Sequence, residues 1–456
     1  MTLYCNKVNF KSIISFIIIR CIYIYSVVLI LGKMYYPGTG SYRIDFNAQK
    51  ELVALLIFVF STFLYLATKR AGDFKENILF FLYVIYYIPM NATYSIHNLS
   101  LEFCLLSNFY FIAIIVLTAN REKLSVCIEK GRDAFSSNNR KLLLTGIIIC
   151  LIFIAYKLSY NGFSLNLSIA STDVYANREN YVVQGPRNGS LEAYVVILLT
   201  QLTSYAAPVC LLIALKTKRH LSAFIAFMCI LAEYSIASMK TILFFIPIVI
   251  IIYFIDKYQM MNRLKKITIT GLCALLILTI IMKLLFDFSG LYTLILRRIM
   301  FGPAWLNTLY FEFFKVHPKA LWSDDTFILQ RILPPVYDKT ILETINLYFF
   351  GHNTSPNTGM FAEAYMHFGV IGCFIYPFFI SFLLHWADSV YKKYDVQIGV
   401  LAAINAAMQM TNVPIMRTDF VLSFILFTVL MQYLPKLYLP KVHFQVLGRR
   451  KFSYGK

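Results

Sequence analysis

The sequence predicts an all-α polytopic membrane protein with about twelve transmembrane helices. Of its 456 residues, 59% are apolar, and the mean hydropathy is +0.65. Only 14% of the residues are charged, against roughly 25% in an ordinary soluble domain. These values exclude a soluble enzyme, a disordered protein and a coiled coil. Strands are excluded because an open sheet edge leaves unpaired backbone groups in lipid.

Twelve apolar segments are candidates for membrane spans, which need about 20 mostly apolar residues each. The first of them is too long for a signal-peptide core and lacks an A-x-A cleavage site, so we interpret it as a span. We find no internal repeat or long linker, and we therefore interpret 1–456 as a single integral membrane domain. The predicted spans lie near residues 12–32, 51–67, 77–96, 101–118, 142–158, 191–215, 221–238, 241–256, 267–287, 360–386, 397–413 and 419–434.

The distribution of Lys and Arg predicts the orientation of these spans. With a cytoplasmic N-terminus, 26 of the 42 Lys and Arg residues fall on the cytoplasmic side and 14 on the other side. This is the positive-inside pattern, so we expect both termini to be cytoplasmic. Two larger loops then lie on the outer side, at about 159–190 and 288–359. Because no soluble face collects the basic residues, nucleic acid is not an expected partner.

Cations on the outer side are of interest because the positive-inside rule disfavours them there. The second loop contains RRIMFGPAWLNTLYFEFF at 297–314, which begins with Arg297 and Arg298. This aromatic-rich segment is typical of a helix lying on the membrane surface. Its arginines would either anchor in lipid headgroups or bind a pyrophosphate through paired hydrogen bonds. The other candidate cations are Arg178, Arg187, Arg331, Arg417 and Lys240, the last of which can also snorkel to headgroups.

Ionisable residues also gather where the second loop enters a late helix, in HNTSPNTGMFAEAYMHFGVIG from His352 to Gly372. Glu363 and His367 are four residues apart, which places them on one helical face. An ionisable residue near the end of a span is costly unless it is paired or hydrated. The two residues therefore either tie helices together or supply a general base or a sugar-hydroxyl ligand.

No motif indicates a metal or a cofactor, and we expect neither. The nine cysteines contain no C-x-x-C pair, and most of them lie in apolar runs, where cysteine acts as a small hydrophobe. The sequence also lacks an H-E-x-x-H motif, a Walker A motif and a G-x-S-x-G motif.

With these segments identified, the chain resembles the bacterial O-antigen polymerases, the oligosaccharide repeat-unit polymerases of surface polysaccharide assembly. Four segments carry the resemblance: STDVYANRENY around Arg178, the SMKT turn around Lys240, RRIMFGPAWLNTLYFEFF, and NTGMFAEAYMHFGVIG, which begins with Asn357. The similarity in topology covers most of the chain. The motifs themselves are loose and cover a small part of it.

The resemblance implies an inverting glycosyltransferase of the bacterial inner membrane that uses no nucleotide sugar. Its substrate would be an oligosaccharide linked to undecaprenyl pyrophosphate, and the growing glycan would move to the terminal sugar of a new lipid-linked unit at the periplasmic face. Arg178 and the Arg297–Arg298 pair would stabilise the departing pyrophosphate. His352, Glu363 or His367 would help to deprotonate the acceptor hydroxyl.

Further binding residues and partners follow from the same resemblance. The implied partners are membrane lipids, a chain-length regulator protein and the flippase of the same pathway. No metal is expected, because pyrophosphate is already a good leaving group. The additional candidates for substrate binding are Arg187, Arg331, Lys240, Asn357 and Arg417.

Three other functional classes stay open. A flippase for the same lipid could also have twelve spans and a cationic cavity, although flippases usually have two similar halves, which we do not find in this sequence. An O-antigen ligase, which moves the finished glycan onto the lipid A core, is poorly separated from a polymerase by sequence. A structural or adhesion protein would need no chemistry at Glu363 or at the arginines.

Overall fold

The computed structural model describes most of the chain, and its described part is almost entirely helical. A two-residue antiparallel pair, Tyr35–Tyr36 with Gly40–Ser41, accompanies the helices. The predicted all-α fold class is confirmed for this part of the chain. The described residues are 9–32, 35–36, 40–41, 44–68, 73–119, 132–161, 191–237, 240–324, 326, 329, 332–351 and 359–436.

Each of the twelve predicted segments coincides with a helix or a run of helices, and many ends differ by a few residues. Side-chain caps account for some of these starts: the Asn47 side chain accepts the Gln49 and Lys50 amides, and the Ser100 hydroxyl accepts the Phe103 amide. The helices are α1 (Phe10–Leu31), α2 (Ala48–Ala67), α3 (Asp73–Leu82), α4 (Ile88–Ile96), α5 (Leu101–Leu117), α6 (Arg132–Asn161), α7 (Leu191–Lys216), α8 (His220–Ala237), α9 (Lys240–Lys257), α10 (Leu264–Phe286), α11 (Gly302–Val316), α12 (Ile341–Phe350), α13 (Met360–Tyr391), α14 (Val396–Asn412), α15 (Thr418–Phe420) and α16 (Leu426–Tyr433).

Wider helical turns interrupt or precede three of these helices. The π-helical segment Tyr83–Tyr87 joins α3 to α4, Tyr292–Phe301 leads into α11, and Val421–Ile425 leads into α16. Short 3₁₀ turns at Met261–Arg263 and Leu434–Lys436 complete the helical elements of the described residues.

Seven helices of the described residues are long and apolar enough to cross a membrane. Their exposed surfaces carry large hydrophobic side chains, such as Leu56, which is 73% exposed, and Phe382, which is 71% exposed. Such surfaces are unusual in a soluble monomer and suit contact with lipid. The chain is therefore a membrane-embedded protein. The seven segments are Phe10–Leu31, Ala48–Ala67, Phe74–Ile96, Ser137–Ser159, Val195–Lys216, Leu264–Phe286 and Met360–Tyr391.

The helix ends meet in two groups, and the first group contains the start of α13. Here the amide of Asp45 donates to the carbonyl of Ile96, which joins the start of α2 to the end of α4. Lys315, at the end of α11, pairs with Glu102 at the start of α5 at 2.7 Å. Because Glu363 lies in the first turn of α13, we call this group the Glu363 end.

The second group contains ends of α3, α7, α9, α10 and α14. Lys216, the last residue of α7, pairs with Asp256 at 3.2 Å and with Asp395 at 2.9 Å. Asp395 directly precedes α14, whose last turn reaches the Glu363 end. Lys265 of α10 similarly pairs with Glu76 of α3. We call this group the Lys216 end.

A fully buried cation lies in the middle of α1. The Arg20 guanidinium donates to both carboxylate oxygens of Glu51 on α2 and, through Nε, to the side-chain oxygen of Asn91 on α4 at 2.8 Å. Asn91 donates to the side chain of Asn108 on α5 at 3.0 Å. A charge within a membrane protein persists when it has such partners. This network therefore holds α1 against α2 and α4, and α4 against α5.

Helix α11 packs inside the protein, which corrects the expectation of a surface helix over 297–314. Ala304, Tyr310 and Phe314 are fully buried, and the Phe311 ring lies 4.6 Å from the Tyr365 ring of α13, centre to centre. The aromatic residues that suggested a membrane surface serve the packing of α11, because aromatic pairs contribute more than their buried area alone.

Removing one partner of the buried ion pair should destabilise the protein strongly. We expect Arg20→Met to cost about 3 kcal/mol, because Glu51 loses its partner while it stays mostly buried. Arg20→Met combined with Glu51→Gln should recover part of this loss. Thermal unfolding in detergent measures both effects.

Lys283→Met is the matched control, because Lys283 pairs with Asp287, which is 88% exposed. It should change stability by no more than about 0.5 kcal/mol. Equal stability losses in Arg20→Met and Lys283→Met would contradict a structural role for the buried pair.

Candidate functional site

The start of α13 is buried, and other helices supply the partners of its backbone amides. Asn307 of α11 is fully buried, and its side-chain oxygen accepts the Ala362 amide at 2.9 Å. The Tyr86 hydroxyl accepts the Phe361 amide at 3.2 Å and donates to the same Asn307 oxygen at 3.0 Å. A helix start needs such partners because its first amides have none within the helix.

Gly359 allows this close approach of α11 and α14 to the start of α13. A Cβ atom at this position would lie 2.8 Å from the Thr411 carbonyl oxygen and 3.1 Å from the side-chain nitrogen of Asn307. Any larger residue would therefore push apart the two segments that the helix start contacts. The Asn307 nitrogen itself donates to the Pro303 carbonyl at 2.6 Å, so both ends of this amide are used.

The Glu363 carboxylate holds the turn between α14 and α15. Its oxygens accept the backbone amides of Ile415 at 2.5 Å and Met416 at 2.9 Å, and the residue is fully buried. Hydrogen bonds from backbone amides to a carboxylate are strong because the acceptor is charged. Glu363 therefore fixes the position of the next residue in the turn, Arg417.

Helix α13 is broken at Gly369, where φ is 59° and ψ is −135°. This backbone conformation is essentially restricted to glycine. Close by, a Cβ atom on Gly372 would lie 1.9 Å from the Ala364 carbonyl oxygen. Glycine is therefore required at the break and where the two halves of the helix approach each other.

The segment 319–322 packs against this break. The Ala320 amide donates to the Met366 carbonyl at 2.9 Å, and the Lys319 ammonium lies 4.3 Å from the centre of the Tyr365 ring. Leu321 and Trp322 follow with φ values of 48° and 63°, which are uncommon for such large residues. The contacts with α13 therefore hold this segment in a strained conformation.

Trp322 connects the strained segment to two polar side chains of α13. Its backbone amide donates to Nδ1 of His367 at 3.1 Å, and its indole nitrogen donates to the Tyr376 hydroxyl at 2.9 Å. An amide that donates to Nδ1 leaves no room for a proton there, so the neutral ring carries its proton on Nε2. His367 is fully buried, and its Nε2 has no hydrogen-bond partner among the described residues.

The predicted cations of the described residues occupy separate positions. Arg417 pairs with Asp419 at 3.1 Å and is about one-third exposed. Arg297 is half-buried, and its Nε donates to the Thr293 carbonyl at 3.3 Å. Arg298 is half-buried beside it in the π-helical segment before α11. The structure thus brings Arg417 next to the turn held by Glu363, and it places the arginine pair one helix turn before Gly302.

The remaining predicted site residues cannot be placed. Lys240 begins α9, and its side chain is outside the described residues. The other candidates also lie outside the described part of the chain: Arg178, Arg187, Arg331, His352 and Asn357.

Several residues of this region were not among those selected from the sequence. Asn307 is a polar residue within the apolar stretch of α11, and this pattern is a usable signal for a buried cap. Lys319 and Trp322 carried no comparable signal, since both lie in an irregular loop of mixed composition. Their importance follows from the positive φ values and from contacts with a helix about 45 residues further along the chain.

Among the described residues, no group of three His, Cys, Asp or Glu side chains is arranged to hold a metal ion. Comparison of the chain with protein-family models, with curated proteins and with solved structures gives no match.

Substitution of Gly369 should test whether the break in α13 is built into the fold. Gly369→Ala should cost roughly 1–3 kcal/mol, because alanine is strained at this φ and ψ and its Cβ would lie 2.9 Å from Cε of Lys319. Thermal unfolding in detergent is the measurement.

Gly271→Ala in α10 is the matched control, since a Cβ there meets nothing within 4 Å. It should raise the stability by about 0.5–1 kcal/mol, as alanine favours helix. An unchanged melting temperature for Gly369→Ala would show that the helix straightens without cost.

Proposed function

We propose that the chain is an oligosaccharide repeat-unit polymerase, which joins units linked to undecaprenyl pyrophosphate at the outer face of a bacterial inner membrane. One observation carries the proposal: two of the four segments that resemble this family are in direct contact. Asn307 of the 297–314 segment caps the helix start in the 357–372 segment. Segments about 50 residues apart in sequence thus form one structural unit.

The proposal includes twelve spans, with both termini in the cytoplasm. The contacts between helix ends support this alternation. Lys216, Asp256 and Asp395 belong to segments that the charge pattern assigns to the cytoplasm, and they form one ion-pair cluster. Lys315 and Glu102 belong to segments assigned to the outer side, and they pair with each other.

The chemistry requires stabilisation of the departing pyrophosphate and a group that accepts the proton of the attacking hydroxyl. In this proposal Arg178, Arg297, Arg298 and Arg417 serve the first need. Glu363 acts as a positioning residue, because both of its oxygens accept backbone amides of the turn that carries Arg417. His352 is then the preferred candidate for the base.

The flippase and ligase alternatives have less support. In a flippase, we would expect unpaired charges along a central path through the spans. Arg20, in the middle of α1, is instead paired with Glu51, whereas Glu233 in α8 is buried and one of its oxygens has no hydrogen-bond partner among the described residues. A ligase would use a similar outer-side site, and the acceptor of the glycan distinguishes it from a polymerase.

The glycan ladder of a deletion strain tests the proposed reaction. Deletion should leave a core that carries a single repeat unit, and the wild-type chain should restore the ladder. Arg178→Ala and His352→Ala should remain at one unit at equal membrane expression, because each removes a proposed catalytic or pyrophosphate-binding group. Lys339→Ala should give a normal ladder, since Lys339 is exposed and is not among the proposed groups.

The ladder also separates the alternatives. Loss of even the single repeat unit on deletion would favour the ligase or flippase. An unchanged ladder would contradict the proposed function altogether.

Cysteine labelling in spheroplasts tests the orientation. Leu321→Cys, at a position that is 54% exposed, should react with a membrane-impermeant maleimide from the outside. Tyr258→Cys, at a position that is 65% exposed, should react only after lysis. Both variants are made in a chain whose nine native cysteines are replaced, and that chain alone supplies the blank. The reverse pattern would contradict the proposed topology.

A further inference from the structure

Lys319 is a partly buried cation without an ion-pair partner among the described residues. Its ammonium donates to the Phe314 carbonyl and lies over the Tyr365 ring, but it forms no ion pair among the described residues. Burial lowers the pKa of Lys319, and the negative charge of Glu102 nearby opposes this effect in part. A cation in such a place is costly unless an anion compensates it.

The nearby carboxylate is already engaged. Glu102 pairs with Lys315 at 2.7 Å, so its carboxylate reaches Lys319 only at longer range. Lys319 lies at the Glu363 end, where its Cε would be 2.9 Å from a Cβ on Gly369.

A buried donor without an acceptor lies on the same break of α13. His367 precedes Gly369 by two residues, and Trp322 fixes the proton of its ring on Nε2. That nitrogen is buried and has no partner in the described part of the chain. Buried donors in native proteins nearly always have an acceptor, so this nitrogen is available to an acceptor oxygen.

We propose that Lys319 and His367 Nε2 form a binding site for a phosphate group at the break of α13. The observations are a partly buried lysine with no ion pair among the described residues, a buried donor without an acceptor there, and one strained segment that positions both. Phosphate oxygens accept hydrogen bonds from both kinds of donor, and the charge of the lysine selects an anion over a neutral sugar. The site deepens the proposed function, and the identity of its natural ligand as the lipid pyrophosphate rests on that function.

The fluorescence of Trp322 offers a direct test of phosphate binding. The chain has three tryptophans, so Trp305→Phe with Trp386→Phe leaves Trp322 as the reporter. Its amide contacts His367 and its ring lies 4.8 Å from the Phe368 ring. We expect titration of the purified full chain in detergent with inorganic pyrophosphate to change this fluorescence saturably.

Four variants in this background distinguish the site from general attraction of anions. Lys319→Gln should raise the Kd at least about tenfold, because it removes the charge. His367→Asn should weaken binding about as much, because the shorter amide can still accept the Trp322 amide but lacks the distal donor. Glu102→Gln should strengthen binding, since it increases the local positive charge. Lys339→Gln, which removes an exposed cation of the same loop, should leave the Kd unchanged.

A structural role for Lys319 and His367 predicts a different result. Variants that elute normally and bind pyrophosphate as the wild type does would overturn the proposal. A similar loss of affinity in Lys339→Gln would also overturn it, because the attraction would then be nonspecific.

Two titrations identify the source of the phosphate, one with inorganic pyrophosphate and one with nanodiscs that contain phosphatidylglycerol. A response to nanodiscs that contain phosphatidylglycerol, but not to pyrophosphate, would support a phosphate site filled by a lipid headgroup. No response in either titration would overturn the proposal. Because neither titration requires glycan synthesis, pyrophosphate binding together with an unchanged glycan ladder would reject the proposed polymerase while supporting the anion site.

Discussion

The buried start of α13 is the constraint on which the rest of the Glu363 end depends. A helix start in a region without water must receive all its partners from the protein. Asn307 and Tyr86 supply them, and this requirement fixes α11 and the π-helical segment before α4 against α13. The same first turn carries Glu363, whose carboxylate places the α14–α15 turn. The first turn of α13 thus fixes three other segments.

The break of α13 at Gly369 determines the remaining contacts at the Glu363 end. An unbroken helix would not leave the Met366 carbonyl for the Ala320 amide. The break therefore gives the 319–322 segment a place to bind, and this segment in turn orients His367 and Lys319. The strain at Leu321 and Trp322 is offset by these contacts. The break thus brings Lys319, His367 and Trp322 together at the Glu363 end.

Much of the fold could be predicted from the sequence, because apolar runs of about 20 residues dominate it. The count of Lys and Arg on each side of the membrane also assigned to one side helix ends that contact each other in the structure, such as those at Lys216 and Asp395. The burial of α11 could not be predicted, since aromatic residues suit a membrane surface and a packed core equally well. At the candidate site, spacing placed Glu363 and His367 on one face, yet each contacts a different distant segment, Ile415–Met416 and Trp322. Such long-range contacts leave no periodic signal in a single sequence.

The central claim is that the polar groups at the Glu363 end carry out transfer of a glycan from a lipid pyrophosphate. The most direct measurement uses the purified chain in proteoliposomes with lipid-linked repeat units extracted from the deletion strain. We predict that undecaprenyl pyrophosphate is released in step with each glycosidic bond formed, and that products contain two or more units. Intact lipid-linked units and no released pyrophosphate, with a folded protein in the correct orientation, would contradict the claim.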